Sequence, residues 1–477
     1  MSQADAIVVG SGPNGLAAAI EIARTGRKVI IFEAADTIGG GCRSAELTLP
    51  GFTHDICSAI HPFALASRMF RSLPLAEYGV EWIEPPRLAA HPLDEGRAAF
   101  LHRSVDDTAH GLGAASVGGD DRAYRRLMAP LVAAWPLLED AVLGPLAWPR
   151  HPFTLAGFGL KALRSAAGVA RSSFTTREAR ALFAGIAGHG MLPLEQRPTA
   201  GVGLVLTLMA HVAGWPLPKG GAQSISNALA AYFRSLGGEI VTGHPVASLD
   251  ELPPARAILC DLSPRPFLRV AGARLPPRYR QALECYRYGM GVFKVDWALD
   301  GPIPWRNPEC ALAGTVHLGG TLEEVAEAER DIWAGRHPER PFVLLTQPTL
   351  FDPSRAPAGR HVAWTYCHVP SGSNVDMLPA IERQVERFAP GFRDRVLARA
   401  VMTPADVERH NPNYVGGDIG AGVTDLRQLF RRPTWSTYST PVRGLYMCSA
   451  ATPPGVGVHG MCGYHAARRA LREVLRD

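Results

Sequence analysis

The first regular pattern in the chain is a short, wholly apolar run, Ala6-Ile7-Val8-Val9. Its β-branched residues, with no polar alternation, predict a strand buried on both faces. Glycines follow at once, and residues 16–25 then carry apolar side chains at helical spacing until Gly26 stops them. A second apolar run over 28–32 completes a strand–helix–strand unit. Similar periods return later. Residues 222–236 read as an amphipathic helix closed by Gly237-Gly238 and followed by a strand over 239–242. Near the end, a strand over 444–448 leads through a Gly/Pro loop into a helix over about 461–475. Between these, 71–214 is rich in helix formers broken by prolines, and 291–394 is mixed. The predicted class is α/β.

Gly10-Ser11-Gly12-Pro13-Asn14-Gly15 is a G-x-G-x-x-G in the setting that gives it meaning: after a buried strand, at the start of a helix, and eighteen residues before Glu33 at the end of the next strand. Gly10 permits the turn, Gly12 lets backbone approach a pyrophosphate, and Gly15 lets helix and strand pack closely. The helix start offers unpaired N–H groups and a positive dipole end to phosphates. Glu33, followed by Ala34, suits adenosine ribose hydroxyls and repels a 2′-phosphate. Gly39-Gly40-Gly41-Cys42-Arg43 then lets the chain fold back over the pyrophosphate, with Arg43 available to a phosphate oxygen.

NAD and FAD share this fingerprint, and the remaining motifs choose between them. The combination resembles the amine oxidase and phytoene desaturase superfamily of FAD proteins. The resemblance continues at Pro218-Lys219-Gly220-Gly221, at Leu236-Gly237-Gly238-Glu239-Ile240 with Val246, and at Thr452-Pro453-Pro454-Gly455-Val456-Gly457-Val458-His459-Gly460 before the last helix. Gly416-Gly417-Asp418 and Arg432-Pro433-Thr434 resemble the desaturase-related branch less specifically. The resemblance implies that Val246 touches the adenine end. It also implies that Gly457, Val458 and Gly460 bring backbone N–H groups to the flavin pyrimidine ring, where a helix dipole favours the anionic reduced form. Cys448-Ser449-Ala450-Ala451 departs from the glycine-containing strand end of many relatives. The expected architecture is a Rossmann-like FAD-binding domain, discontinuous over 1–70, 215–290 and 395–477, with a mixed α+β substrate domain over 71–214 and 291–394. No Cys or His is obviously placed for a flavin bond, so FAD is expected to be non-covalent.

Charge changes the picture little. There are 49 basic and 44 acidic residues, scattered rather than clustered, which argues against a nucleic-acid partner. The eight cysteines form no C-x-x-C pair and suggest a reducing compartment. The early glycine motif leaves no room for a cleaved leader, and there is no run of eighteen apolar residues, so a cytoplasmic protein is expected. One stretch stands apart. From 141 to 177 there is no acidic residue, while Arg150, Lys161, Arg164, Arg171 and Arg177 are basic; Leu155, Phe158, Leu163 and Val169 can share a helical face, with Trp148 and Phe153 ahead of them. That composition fits an in-plane helix making peripheral membrane contact, and equally a helix whose apolar face covers the substrate-domain core.

Dehydrogenating a C–C bond needs hydride acceptance by flavin and a base for the neighbouring proton. The candidates are His61, in the segment that the resemblance passes near the ring; His189, in Gly188-His189-Gly190; and Lys219, ahead of the double glycine. Asp55 reads as a structural partner and His459 as a backbone contact. No nucleophile elbow or metal-ligand spacing is present. Only one G-x-G-x-x-G follows a strand; the clusters at Gly111 to Gly119 and Gly319-Gly320 read as lacking one, so no NAD(P)H domain is expected. Oxygen, a quinone or another carrier would then reoxidise the flavin. The leading expectation is an FAD-dependent oxidoreductase dehydrogenating an apolar substrate. An amine oxidase, with Tyr438 and Trp435 as its aromatic candidates, and a flavin-bearing scaffold without catalysis are the alternatives.

Overall fold

The computed structural model describes residues 4–114 and 119–476, so 115–118 of the Gly111 to Gly119 cluster lie outside the described residues. The apolar runs form one parallel sheet of five strands, in the order Leu445–Met447, Ala257–Cys260, Ala6–Val9, Val29–Phe32 and Glu239–Val241. Every residue of Ala6–Val9 and Val29–Phe32 is buried, as strands covered on both faces require. Ala257–Cys260, which the periodicity did not single out, lies beside the first strand at the centre of the sheet.

Helices Pro13–Ala23, Gln223–Ser235 and Met461–Glu473 fall where helical spacing placed them, and the first packs against the other two. Two glycines set the spacing. A Cβ on Gly15 would lie 2.1 Å from the Gly10 carbonyl oxygen, and one on Gly463 would lie 1.8 Å from that of Asn14. The first helix therefore rests on its own loop, and the last helix meets the first at backbone contact. Their N-termini come together.

A second sheet of seven strands runs Val396–Met402, Gly291–Leu299, His361–Val369, Val343–Thr346, Ala313–Leu318, Arg87–Pro92 and Ala98–Leu101. It is antiparallel except where Ala313–Leu318 lies parallel to Arg87–Pro92. Two expectations are corrected here. Val396–Met402 pairs with Gly291–Leu299, so the final segment of the parallel-sheet unit starts after this strand and not at 395. Gly319-Gly320 does follow a strand, Ala313–Leu318, but one of the mixed sheet, and the next helix is closed by a Thr321–Glu324 capping box.

The helical middle extends from Val105–Ala114 to Thr199–Val212. Its expected single apolar face over 155–169 is divided. Helix Pro152–Ala162 ends, and Ser165 Oγ accepts from Gly168 N to start a new helix, Ala166–Ser173. Val169 is buried there, while Trp148, Phe153 and Leu160 stand 93, 91 and 77% exposed. Among the described residues no helix is long and apolar enough to cross a membrane.

Candidate active site

The loop between the first strand and helix is held open by its neighbours. Gly10 has φ +99°, and its N–H bonds the Phe32 carbonyl across the sheet. A Cβ on Gly12 would come within 2.7 Å of Asp261 Oδ2, and one on Gly40 within 3.0 Å of Gly12 Cα, so two glycine backbones cross where a pyrophosphate needs close approach. The helix N-cap is Gly12, which has no side chain to satisfy the first N–H groups, and Asn14 Oδ1 is buried without a partner. Glu33 is oriented beforehand: Ser11 N and Oγ donate to Oε2 at 2.7 and 2.6 Å, and Ala35 N donates to Oε1 at 3.0 Å. Arg43 is buried, giving Nε to the Gly40 carbonyl and Nη2 to that of His410.

At the other helix start, Gly460 has φ +66° and Gly457 φ +135°. Met461 N donates to His459 Nδ1, which fixes the His459 proton on Nε2. Arg432 gives its guanidinium to the carbonyls of Gly420, Ala421, Gly422 and Ala450, tying the 418–424 loop to the end of the Leu445–Met447 strand.

These two helix starts border one cavity of about 1770 Å³. Small-molecule sites span roughly 300–1,000 Å³, so this one has room for a dinucleotide and a second molecule together. Gly10, Gly12, Pro13, Asn14, Glu33, Ala34, Gly40, Gly41, Arg43, Val246, Gly457 and Val458 all line it, as do His61 and His189. Ser11, Gly15 and Gly460 lie behind the wall. Ser11 acts through Glu33, and Gly15 N donates to Asp261 Oδ2 at 3.0 Å. Beyond the cradle the wall is apolar, with Leu155, Phe158, Val202, Val205 and Leu206 from the helical middle facing Trp364 and Tyr366 from the mixed sheet.

Lys219 is corrected. Its ammonium is exposed at the surface, 2.8 Å from Glu81 Oε2, because the following turn at Gly220 and Gly221 (φ +74° and +103°) directs it outward. Neither aromatic candidate for an amine site lines the cavity. Tyr438 is buried with its hydroxyl on the Pro453 carbonyl, and Trp435 is 74% exposed. Asp55 is structural, accepting from Ser44 Oγ, Ala222 N and Arg355 Nη2.

His61 is buried and kept neutral, pulled down to about 4 by desolvation. Ser58 Oγ spends its proton on the Gly41 carbonyl and so accepts from His61 Nε2 at 3.1 Å. That leaves Nδ1 bare and without a protein partner. His189 is likewise driven down to about 3 by burial, and its Nε2 lies 2.9 Å from His317 Nε2.

The residues that sequence reading missed come from the mixed sheet, from the segment that follows it, and from the end of the parallel strand Ala257–Cys260. Trp364, Tyr366, Tyr414 and Asp261 all line the cavity. Burial raises the Asp261 carboxyl to about 7. The apolar run Ala257-Ile258-Leu259-Cys260 ahead of Asp261 was the available signal, since a carboxylate at the end of a buried parallel strand faces the ligand edge of such a sheet.

A family model described as an NAD(P)-binding Rossmann-like domain matches residues 8–73. The chain is 27% identical over 551 residues to pyridine nucleotide-disulfide oxidoreductase domain-containing protein 2 of Mus musculus, covering 98% of this chain and 94% of that one. It is 25% identical to phytoene dehydrogenase of Streptomyces griseus, covering 82% and 77%, and 24% identical to hydroxyneurosporene desaturase of Rhodobacter capsulatus, covering 99% and 98%. Its fold is similar to an oxidoreductase from Methanosarcina mazei (TM-score 0.67, 16% identity, 97% and 99% covered). It is also similar in fold to putrescine oxidase bound to putrescine (TM-score 0.64, 18% identity, 100% of both chains).

Proposed function

We propose that this FAD-dependent oxidoreductase, phytoene desaturase-like in sequence and amine oxidase-like in fold, removes two hydrogens from a C–C bond of an apolar substrate. The observation that supports this reading is the single cavity that joins the glycine cradle to an apolar wall. Bound FAD supplies the hydride acceptor. Gly10, Gly12, Pro13, Asn14, Gly40, Gly41 and Arg43 would hold the pyrophosphate, Glu33 and Ala34 the adenosine ribose, and Val246 the adenine, with Ser11 and Gly15 acting from behind the wall. Gly457 and Val458 would hold the flavin pyrimidine, with Gly460 behind them shaping the turn into the last helix. The apolar wall excludes water from the reacting carbon. His61 and His189, both in the cavity wall, are the groups that would take the proton from the neighbouring carbon; the bare His61 Nδ1 is buried, so its ring would have to turn towards the substrate to do so. A non-nicotinamide carrier (oxygen, a quinone or another) would accept the electrons. Anaerobic mixing of the yellow protein with apolar alkenes and with amines tests the reading: bleaching of the flavin by the former supports it, and bleaching by amines alone overturns it.

The substrate enters from a lipid surface. Leu146, Leu160, Leu163, Leu429, Phe430 and Val456 are exposed and at the same time line the cavity, so its mouth is rimmed by apolar side chains. Both stretches that form the rim, 141–177 and 426–472, contain no acidic residue. Each basic residue near an anionic surface adds about 1 kcal/mol of attraction. Flotation with phosphatidylserine vesicles is expected to carry the protein at low salt, and less of it when Arg164 and Arg171 become Glu. Protein left wholly in the soluble fraction at low salt contradicts peripheral contact.

A further inference from the structure

Two buried imidazoles, His91 and His317, and one half-buried, His189, form a row that ends on the cavity wall. His91 Nε2 lies 2.7 Å from the Gly320 carbonyl oxygen, which can only accept, so the His91 proton is on Nε2 and its Nδ1 is bare. Both His91 Nδ1 and His317 Nδ1 are buried with no partner. The two nitrogens face the same glycine, for a Cβ built on Gly185 would lie 2.5 Å from His91 Nδ1 and 2.9 Å from His317 Nδ1. Gly185 sits in the regular helix Arg177–Gly188, so nothing in its backbone demands glycine there; the space between the imidazoles does. At the other end, His317 Nε2 meets His189 Nε2 at 2.9 Å. Desolvation keeps all three rings neutral, with one proton each. Among the described residues no three metal-ligating side chains converge.

One arrangement serves every nitrogen. The two nitrogens make no direct hydrogen bond, so His317 Nδ1–H donates to one bridging water, which in turn donates to the bare Nδ1 of His91. His317 Nε2 is then bare and accepts from His189 Nε2–H. His189, which lines the cavity, is left with a bare Nδ1 that has no partner in the protein. Direction is imposed from one end by a carbonyl that cannot donate.

We propose that this row makes His189 Nδ1 a fixed hydrogen-bond acceptor on a mostly apolar wall, and that the substrate is an apolar molecule bearing a hydroxyl donor. The proposal rests on the reading that the cavity takes an apolar substrate. His189 is then a specificity residue, and His317 and His91 position it.

The probes are dodecanol and its methyl ether, equal in apolar surface but only one a donor, titrated against the FAD-loaded protein and followed by perturbation of the flavin spectrum. The alcohol is expected to bind about tenfold more tightly than the ether, the worth of one buried hydrogen bond. The preference is expected to vanish in His189→Phe. It should also vanish in Gly185→Ala, where a methyl group wedges the row apart and no polar group changes. Nitrogen-15 spectra of the histidines read the tautomers independently in the unaltered protein: Nε2–H for His91 and His189, Nδ1–H for His317. Equal affinity for alcohol and ether, no binding of either, a preference that survives His189→Phe, or an Nδ1–H tautomer at His189 overturns the proposal. Flavin content measured in each variant separates such a result from failure of the cofactor reading, which would appear as colourless protein.

Discussion

At one end of the cavity the wall is backbone, and at the other it is side chain. The cradle consists of glycines crossing glycines, with Gly40 over Gly12 and Gly15 over the Gly10 carbonyl, and few side chains reach into it. The substrate end has no such economy. Its wall takes Leu155 and Phe158 from one helix, Val202 and Val205 from another, and Trp364 and Tyr366 from a strand more than a hundred residues later. A backbone cradle tolerates no added atoms, whereas a side-chain wall tolerates changes of shape and transmits them to specificity. The two ends should therefore respond differently to substitution.

Gly15→Val should be the most damaging change. Its Cβ has a backbone oxygen at 2.1 Å, and neither strand nor helix has room to retreat. Overpacking of this kind costs about 3 kcal/mol or more, and the expected result is insoluble or colourless protein, read from soluble yield and flavin absorbance. His61→Phe should leave the cradle intact. Full flavin content with turnover reduced about 100-fold or more is the expected pairing if His61 takes the proton. Unchanged turnover would move that role to His189.

Asp261→Asn tests the cradle electrostatically. The folded carboxyl titrates near 7 against an ordinary value of 3.8, because burial disfavours its charge. Its contribution to stability is thus fully present below the unfolded value and is lost as pH rises through the folded one. The amide oxygen can still accept from Gly15 N, so the variant should lose this pH dependence. Above neutrality it should be more stable than the parent by about 2–4 kcal/mol, seen as a higher Tm at pH 8 than at pH 4 relative to the parent. Lys219→Ala should do least, since the ammonium is exposed and bridges only Glu81; unchanged flavin content and turnover are expected.

The same contrast explains what was legible in the sequence. A site made of backbone must be written with glycines at fixed offsets from a strand and a helix, and Gly10, Gly12, Gly15, Gly40 and Gly457 could be read in that way. A site made of side chains depends on which distant elements meet. His317 and Trp364 carry no local mark, and only the sheet order brings their strands near the helix bearing His189. The strand Val396–Met402 was misplaced for the same reason, since pairing with Gly291–Leu299 is a long-range fact. Over 141–177 the composition was legible but the geometry was not. Ser165 caps a second helix within the stretch; Leu155 and Phe158 of the first line the cavity, while Trp148 and Phe153 stand outside.

The central claim is that one cavity serves both the flavin and an apolar substrate, and Val205→Trp tests it most directly. Val205 lines the cavity from helix Thr199–Val212, which carries none of the cradle glycines. Flavin content and anaerobic bleaching are measured side by side, parent against variant, with lipid-phase and aqueous-phase extracts of the same cells. Full flavin content in both proteins, bleaching of the parent by the lipid phase alone, and loss of that bleaching in the variant are the predicted results. Bleaching by the aqueous phase alone, or lipid-phase bleaching that survives a tryptophan in the cavity, would contradict the account.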